Sequence, residues 1–240
     1  RSRTLRDTAS SAPVPAPSGP ETTLTFRAPR FEAVLTSRGG ALKSYRLRES
    51  NYREERGGKQ VAVDLVQGGM GLPLEIGLEG PLAIDRSQPW RLSQAADGDF
   101  TMVQDAPQAR LTKRLRFDPQ GWVAELTVRV ENRTPQPQPT RLTLHVHGRQ
   151  RPDAPQPGMM TPGVRIWRTA CHANGEIERR DHDTLLKEEV SQVGDILWGG
   201  IQDKYFLLAA IPIGEKQSLR CLMTAGDDGA MDTAISYAER

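Results

Sequence analysis

Two histidines have the residue type and the spacing that could support chemistry. His145 and His147 stand two positions apart in residues 141–147, where apolar and polar residues alternate. Because successive side chains of a β-strand point to opposite faces, both imidazoles would lie on the polar face, where they could chelate a metal ion or act as a base. The neighbouring sequence supplies neither a third ligand nor a carboxylate on that face. We therefore expect a solvent-facing strand surface rather than a site.

The rest of the chain offers no stronger candidate for catalysis. His172 and His182 fall in turn-like stretches, and the cluster at 181–183 is more typical of a helix start than of a set of ligands. The sequence contains no Gly-x-Ser-x-Gly elbow, no His-Glu-x-x-His pair and no phosphate-binding glycine loop. The two cysteines have no Cys-x-x-Cys spacing, which argues against a structural zinc site. We therefore predict no catalytic residue, no cofactor and no metal.

The composition argues against two further classes of protein. The 240 residues include 32 Lys and Arg against 30 Asp and Glu, spread along the chain, whereas a nucleic-acid binder needs a clustered basic excess. The longest apolar run, residues 205–213, is half as long as the roughly 18 residues that span a bilayer, and we interpret it as a buried strand. The chain begins without a signal-peptide pattern, so we expect a fragment or a processed product, and any membrane anchor would lie outside it.

Two regions differ in composition. Residues 1–23 are rich in Ser, Ala, Pro and Thr and have almost nothing to bury, and their prolines favour extended backbone. The sequence therefore predicts a flexible tether over residues 1–23 and a folded domain over residues 24–240.

The folded region has the pattern of short β-strands. Residues 122–131 are the clearest case, because Trp122, Leu126 and Val128 share one face with other apolar residues while polar residues occupy the opposite face. Further strands are predicted at residues 31–35, 41–47, 61–66, 74–78, 111–117, 141–147, 164–169, 196–201 and 219–224.

The connections between these strands favour an all-β sandwich. Glycine-containing turns separate the strands, and two proline-rich loops, at 134–140 and 148–163, are typical of connections or sheet edges. The one helix worth naming spans residues 184–192, with Asp181 or Asp183 as its cap. We predict an all-β fold of two large, mostly antiparallel sheets packed face to face, with one or two short helices.

Several segments carry a family resemblance. Residues 31–47 form a strand, a Gly39-Gly40 turn and a second strand, and the strand over 128–132 closes on Asn132 before a loop. The most specific segment is Trp198-Gly199-Gly200-Ile201-Gln202-Asp203-Lys204-Tyr205-Phe206, followed by an apolar strand that ends in Ile-Pro. In this order the segments resemble the large periplasmic domain of the YidC family of membrane protein insertases, over roughly residues 23–240. The residues of the resembling motif are Gly39, Gly40, Asn132, Trp198, Asp203, Lys204, Tyr205 and Phe206.

The resemblance implies a structure and a function. It implies a β-supersandwich like that of galactose mutarotases, on the periplasmic side of the bacterial inner membrane and tethered by membrane helices outside this chain. It implies a non-catalytic domain that supports the insertion and folding of inner-membrane proteins through contacts with Sec translocon components and nascent membrane proteins. Because the same fold hosts epimerases and lyases, a carbohydrate-active enzyme or sugar-binding module is the alternative, with His145 and His147 as its candidate residues.

The implied compartment also bears on the cysteines. Free thiols seldom persist in an oxidising compartment, so we predict a disulfide between Cys171 and Cys221, which lie in or beside strands predicted on either side of residues 198–212. The bond requires Cα atoms no farther apart than about 7 Å.

Overall fold

The computed structural model describes residues 19–56, 58–69, 71–82, 84, 88–150, 166–214 and 218–237. Residues 1–18 of the predicted tether and residues 151–163 of the second proline-rich loop lie outside these ranges, so both remain predictions. At its other end the predicted tether overlaps the first strand by one residue, Thr23.

The described residues form short strands with very little helix. The helical elements are α1 (His182–Leu185) and a single 3₁₀ turn (Asp227–Gly229). The strands are β1 (Thr23–Arg27), β2 (Phe31–Thr36), β3 (Ala41–Leu47), β4 (Arg53–Arg56), β5 (Lys59–Ala62), β6 (Ile76–Glu79), β7 (Arg91–Ala96), β8 (Asp99–Asp105), β9 (Ala109–Phe117), β10 (Ala124–Asn132), β11 (Arg141–Arg149), β12 (Arg168–Ala173), β13 (Glu176–Asp181), β14 (Val190–Gly194), β15 (Ile196–Gln202), β16 (Leu207–Ala210), β17 (Leu219–Ala225) and β18 (Ala230–Ser236).

These strands pair in antiparallel fashion throughout the described part of the chain. Four sheets result: the N-terminal sheet β1-β2-β3, the middle sheet β10-β9-β8-β7, the central sheet β14-β17-β18-β11-β6 and the C-terminal sheet β13-β12-β15-β16, with β4-β5 as a separate hairpin. The prediction of an all-β, antiparallel fold is confirmed.

Aromatic side chains hold the N-terminal and middle sheets together. Phe26 stacks on Phe117 with ring centroids 5.3 Å apart, and Phe31 stacks on Tyr45 at 4.6 Å. Phe100 is fully buried in the same cluster. Burying a large apolar side chain contributes roughly 1.5–3 kcal/mol, so these rings account for much of the packing energy of this half of the domain.

The central and C-terminal sheets pack face to face. Strand β15 contacts β11 and β18, and β12 contacts β17 and β18. The approach is close because Gly199 has no side chain: a Cβ there would lie 3.0 Å from Cys221 Sγ and 3.0 Å from Thr233. Ile196, Leu219 and Ile235 fill the space between the two sheets.

The predicted helix over residues 184–192 is wrong in extent. A single turn, His182–Leu185, forms, capped by Asp181, whose Oδ1 accepts a hydrogen bond from the Thr184 backbone N–H at 2.9 Å. Hydrogen bonding from Thr184 holds the pKa of Asp181 below its usual value. The helix cannot extend to residue 192 because Val190 is paired with Met223 of β17.

The apolar run at residues 205–213 is not a buried strand. Only Leu207–Ala210 forms β16, which lies at the end of the C-terminal sheet's strand order. Tyr205, Ile211 and Ile213 are exposed over 61%, 66% and 84% of their surface. An unbroken apolar run does not reveal whether other sheets cover both faces of the strand. Here the strand lies at the end of its sheet, and several side chains of the run are exposed.

Other strand limits differ by a few residues. The strand predicted from Trp122 begins at Ala124, and Trp122 is 39% exposed beneath the Arg30 guanidinium, 4.2 Å from its ring centroid. The strand predicted over residues 61–66 ends at Ala62, with an isolated bridge at Asp64. The strand predicted over residues 164–169 begins at Arg168, and residues 164–165 lie outside the described ranges.

Candidate functional site

The two histidines lie on β11 between two strands that bring acidic side chains to them. His147 is the register partner of Asp232 on β18, so the two side chains share one face of the central sheet. On the other side of β11, the His145 backbone N–H donates to the Glu75 carbonyl at 2.9 Å, which places Glu75 beside His145 just before β6. Three neighbouring chain segments therefore converge on one patch of the sheet.

The side-chain distances in this patch are short. His145 Nδ1 lies 2.7 Å from Asp232 Oδ2, and His147 Nδ1 lies 3.3 Å from Asp232 Oδ1. The two imidazoles are parallel, with centroids 5.2 Å apart. His147 Nε2 lies 3.8 Å from Glu75 Oε2. We call His145, His147, Asp232 and Glu75 the histidine cluster.

This arrangement corrects two sequence-based expectations. The imidazoles do not form a solvent-facing surface, since the side chains of His145 and His147 are only 18% and 21% exposed. They are also accompanied by carboxylates. Asp232 is 87 residues from His145 along the chain, so the local sequence could not reveal it. An imidazole beside a carboxylate can serve as a base or ligate a metal.

A buried lysine lies on the far side of Glu75. Lys113 is fully buried, and its Nζ donates to the carbonyls of Gly39 at 2.9 Å and Leu74 at 2.8 Å. The ammonium position is 4.3 Å from the Trp90 ring centroid. Burial lowers the pKa of Lys113 from its ordinary value to about 7, and the negative charge of Glu75 opposes that shift. Sequence reasoning missed this residue, although it falls on the buried face of the alternating strand β9.

The Gly39-Gly40 turn packs directly onto this lysine. Both glycines have positive φ, +65° and +54°, which side chains rarely adopt. A Cβ at Gly40 would lie 2.7 Å from the Trp90 ring, and one at Gly39 would lie 2.8 Å from the Glu75 side chain. The turn therefore requires glycine for both its backbone conformation and its close approach.

The motif over residues 198–206 covers most of β15 and the turn that joins it to β16. Asp203 Oδ1 accepts backbone hydrogen bonds from Tyr205 and Phe206, both at 2.7 Å, and so fixes the turn. Phe206 packs edge-on against Tyr52 at 5.5 Å, whereas Tyr205 points outward beneath Lys204, whose Nζ is 5.3 Å from its ring centroid. Tyr205 is therefore mostly exposed.

Trp198 is half-buried and lies edge-on to His172, with ring centroids 6.1 Å apart. Asn132 organises the loop after β10: its Oδ1 accepts from the Thr134 backbone N–H at 2.8 Å, and its Nδ2 donates to the Gln136 carbonyl at 2.7 Å. Contacts with nearby residues therefore account for the positions of Trp198 and Asn132.

The two cysteines meet between the central and C-terminal sheets. Cys171 on β12 and Cys221 on β17 are fully buried, with their sulfur atoms joined and their Cα atoms 6.5 Å apart. The Cα separation meets the geometric requirement for a disulfide. The disulfide between Cys171 and Cys221 stays a prediction.

In the part of the chain that the structure describes, no helix has the length and apolar character needed to cross a membrane.

The fold defines the broad class to which the protein belongs. A galactose mutarotase-like protein from Lactobacillus casei superposes with a TM-score of 0.50 at 12% identity, covering 90% of this chain and 87% of that one. A galactose mutarotase-related enzyme from Lactobacillus acidophilus gives 0.51 at 9% identity, covering 90% and 86%. The predicted galactose-mutarotase-like architecture is confirmed. At these identities the likeness concerns the fold alone.

The sequence comparison defines the family. The YidC periplasmic domain family matches residues 23–238. A relative from Anaeromyxobacter sp. (strain Fw109-5), named membrane protein insertase YidC, is 30% identical over 191 residues, covering 76% of this chain and 35% of the relative. A second protein of that name, from Syntrophus aciditrophicus (strain SB), is 26% identical over 237 residues, covering 94% and 42%. This chain belongs to the YidC periplasmic domain family, and it spans about two-fifths or less of the length of these relatives.

Proposed function

We propose that this chain is a non-catalytic domain on the periplasmic side of the bacterial inner membrane, and that it supports the insertion and folding of membrane proteins through protein contacts. Membership of the YidC periplasmic domain family supports the location, and the names of the relatives support the process. The observation that carries the contact role is the exposed apolar surface at the edge of the C-terminal sheet.

This edge surface consists of four large apolar side chains on β16 and in the segments flanking it. Tyr205, Leu207, Ile211 and Ile213 are exposed over 47% to 84% of their surface. Exposed apolar side chains grouped along a strand edge are typical of a protein contact site rather than of a solvated surface. A strand at a sheet edge can also accept an added extended segment through its backbone.

The proposed partners are those that the family resemblance implies. We propose Sec translocon components and nascent membrane proteins as the occupants of the edge surface, with the proline-rich loop after Asn132 as a second contact. Membrane helices outside this chain would hold the domain beside its partners through residues 1–23. A tethered domain gains a high effective concentration, so modest intrinsic affinity suffices.

Replacing Tyr205, Ile211 and Ile213 together with serine should weaken partner binding by roughly tenfold, because truncating apolar anchors at a contact costs on the order of 1–2 kcal/mol. The measurement is site-specific photocrosslinking from position 207 in an insertase that carries this domain, in parallel with a membrane-protein insertion assay.

The matched control is Val123→Ser. Val123 is 69% exposed but lies just before β10, on a different sheet, so the substitution removes an equally exposed apolar side chain away from the edge surface. Equal crosslinking by the triple variant and the unmodified domain would refute the contact role of the edge surface.

The histidine cluster favours one alternative, a carbohydrate-active enzyme or sugar-binding module. His145 and His147 lie within reach of carboxylates, which is one requirement of an epimerase. We expect the purified chain to show no interconversion of sugar anomers by polarimetry or NMR. Turnover that disappears when both histidines are replaced with alanine would establish the enzyme instead.

A further inference from the structure

We propose that His145, His147 and Asp232 form a binding site for a divalent transition metal ion of the zinc type. One ligand atom from each of the three residues lies within 4.8 Å of the other two. Two imidazole nitrogens and one carboxylate oxygen are the donor set of three-ligand zinc sites, which keep a fourth position for water or another ligand.

The observed spacing suits such an ion. Zinc binds nitrogen and oxygen at about 2.0–2.2 Å, so two donors on a tetrahedral ion lie about 3.3 Å apart. His147 Nδ1 is 3.3 Å from Asp232 Oδ1, and His145 Nδ1 is 2.7 Å from Asp232 Oδ2. Small side-chain rotations of the kind that accompany ligand binding would bring all three donors to the required distance.

The donor types select the class of ion. Two neutral imidazoles favour zinc, nickel, cobalt or copper, whereas magnesium and calcium prefer sites built from oxygen. The patch holds two imidazoles within 5.2 Å of each other and is mostly shielded from solvent. We therefore expect no competition from magnesium or calcium at equal concentration.

Two further residues position the His147 ring. A histidine that ligates a metal usually donates its other ring N–H to a carboxylate, which fixes the ring and its tautomer. Glu75 Oε2, 3.8 Å from His147 Nε2, is placed for that role while Nδ1 faces Asp232. Gly71 lies against the same ring, and a Cβ there would overlap it. Glu75 and Gly71 are thus positioning residues for the site.

The scaffold beneath the cluster is rigid. His145 and His147 lie on β11, which pairs with β18 along both histidines, and the His145 backbone is also hydrogen-bonded to Leu74 and Glu75 just before β6. One step along the same face, the Thr143 and Ser236 hydroxyls share a buried hydrogen bond of 2.8 Å across the β11–β18 pair. Ligands held on paired strands need little reorganisation to receive an ion.

The test is a calorimetric titration of the chelator-treated 240-residue chain with zinc chloride. We expect one zinc ion per chain with a dissociation constant of about 1 µM or tighter, and a rise in melting temperature on binding. Cobalt should give the visible absorption bands of a four-coordinate ion. His145→Gln, His147→Gln and Asp232→Asn should each weaken binding at least about 100-fold, and Glu75→Gln about 10- to 100-fold.

The control is His172→Gln, which removes an imidazole outside the cluster and should leave zinc affinity unchanged. Far-UV circular dichroism checks that each variant folds. If one variant does not fold, the remaining variants and the anomalous diffraction of zinc in the unmodified protein still test the site. Three results would each overturn the site: no saturable zinc binding, affinity in the three ligand variants equal to that of the unmodified protein, or zinc located elsewhere. His145, His147 and Asp232 would then be a hydrogen-bonded group without a metal. None of these outcomes bears on the proposed contact function.

Discussion

Lys113→Ala should lower the free energy of unfolding by about 3–5 kcal/mol. The side chain is fully buried, so its removal leaves a cavity and deprives the Gly39 and Leu74 carbonyls of their donor. Truncating a long buried side chain to alanine costs about 2–5 kcal/mol, and an unsatisfied buried polar group costs about 1–3 kcal/mol more. Urea unfolding measured side by side with the unmodified protein gives the difference.

The same residue should make stability depend on pH. Burial lowers the pKa of Lys113 to about 7 in the folded chain, from the ordinary value of 10.5 that the unfolded chain keeps. Between these values the unfolded chain binds more protons, so stability should rise with pH from about 7 upward, by at most about 1.4 kcal/mol per unit. Below pH 7 the full cost of burying the charged lysine is present.

Two variants isolate these effects. Lys59→Ala replaces an exposed lysine on β5 and should change stability by no more than about 0.5 kcal/mol. Lys113→Met keeps most of the volume but cannot titrate, so subtracting its unfolding free energy at each pH removes the contribution of other groups. A difference that stays flat between pH 7 and 10 would show that Lys113 keeps an ordinary pKa.

Reducing the bond between Cys171 and Cys221 should lower the free energy of unfolding by about 4 kcal/mol. The bond closes a loop across a sequence separation of 50, and the chain-entropy argument gives that value for a loop of this size. The measurement is urea unfolding with and without reductant.

The control for the bond is the double variant Cys171→Ala and Cys221→Ala, which should be less stable than the oxidised protein and insensitive to reductant. Titration of thiols in the unreduced, denatured protein provides a separate check. Two reactive thiols would contradict the predicted bond.

Local sequence patterns were sufficient to predict strands, but not to predict which strands and sheets pack against them. Strand β3 spans Ala41–Leu47 as predicted, because the Gly39-Gly40 turn that precedes it is a local property of the sequence. Whether a strand is buried depends on which sheets pack against its two faces. A local pattern does not show this, so the prediction that residues 205–213 form a buried strand is wrong. The predicted helix failed for a similar reason, since pairing with β17 overrides the helical pattern at Val190.

The histidine cluster shows the same limit for sites. Sequence alone identified His145 and His147 and their shared face, because that follows from their spacing. Asp232 could not be found this way, since β18 reaches β11 only through the register of the central sheet. Lys113 had a visible signal, a charged residue at an inward position of an alternating strand.

The predicted bond between β12 and β17 would have a mechanical consequence when the domain is pulled through its ends. While the bond is intact, force applied to the chain bypasses the segment between Cys171 and Cys221, which includes β13, β14, β15 and β16. At about 3.4 Å per extended residue, roughly 170 Å of chain would be withheld from stretching. The edge surface would then keep its shape under a load that unravels the N-terminal sheet.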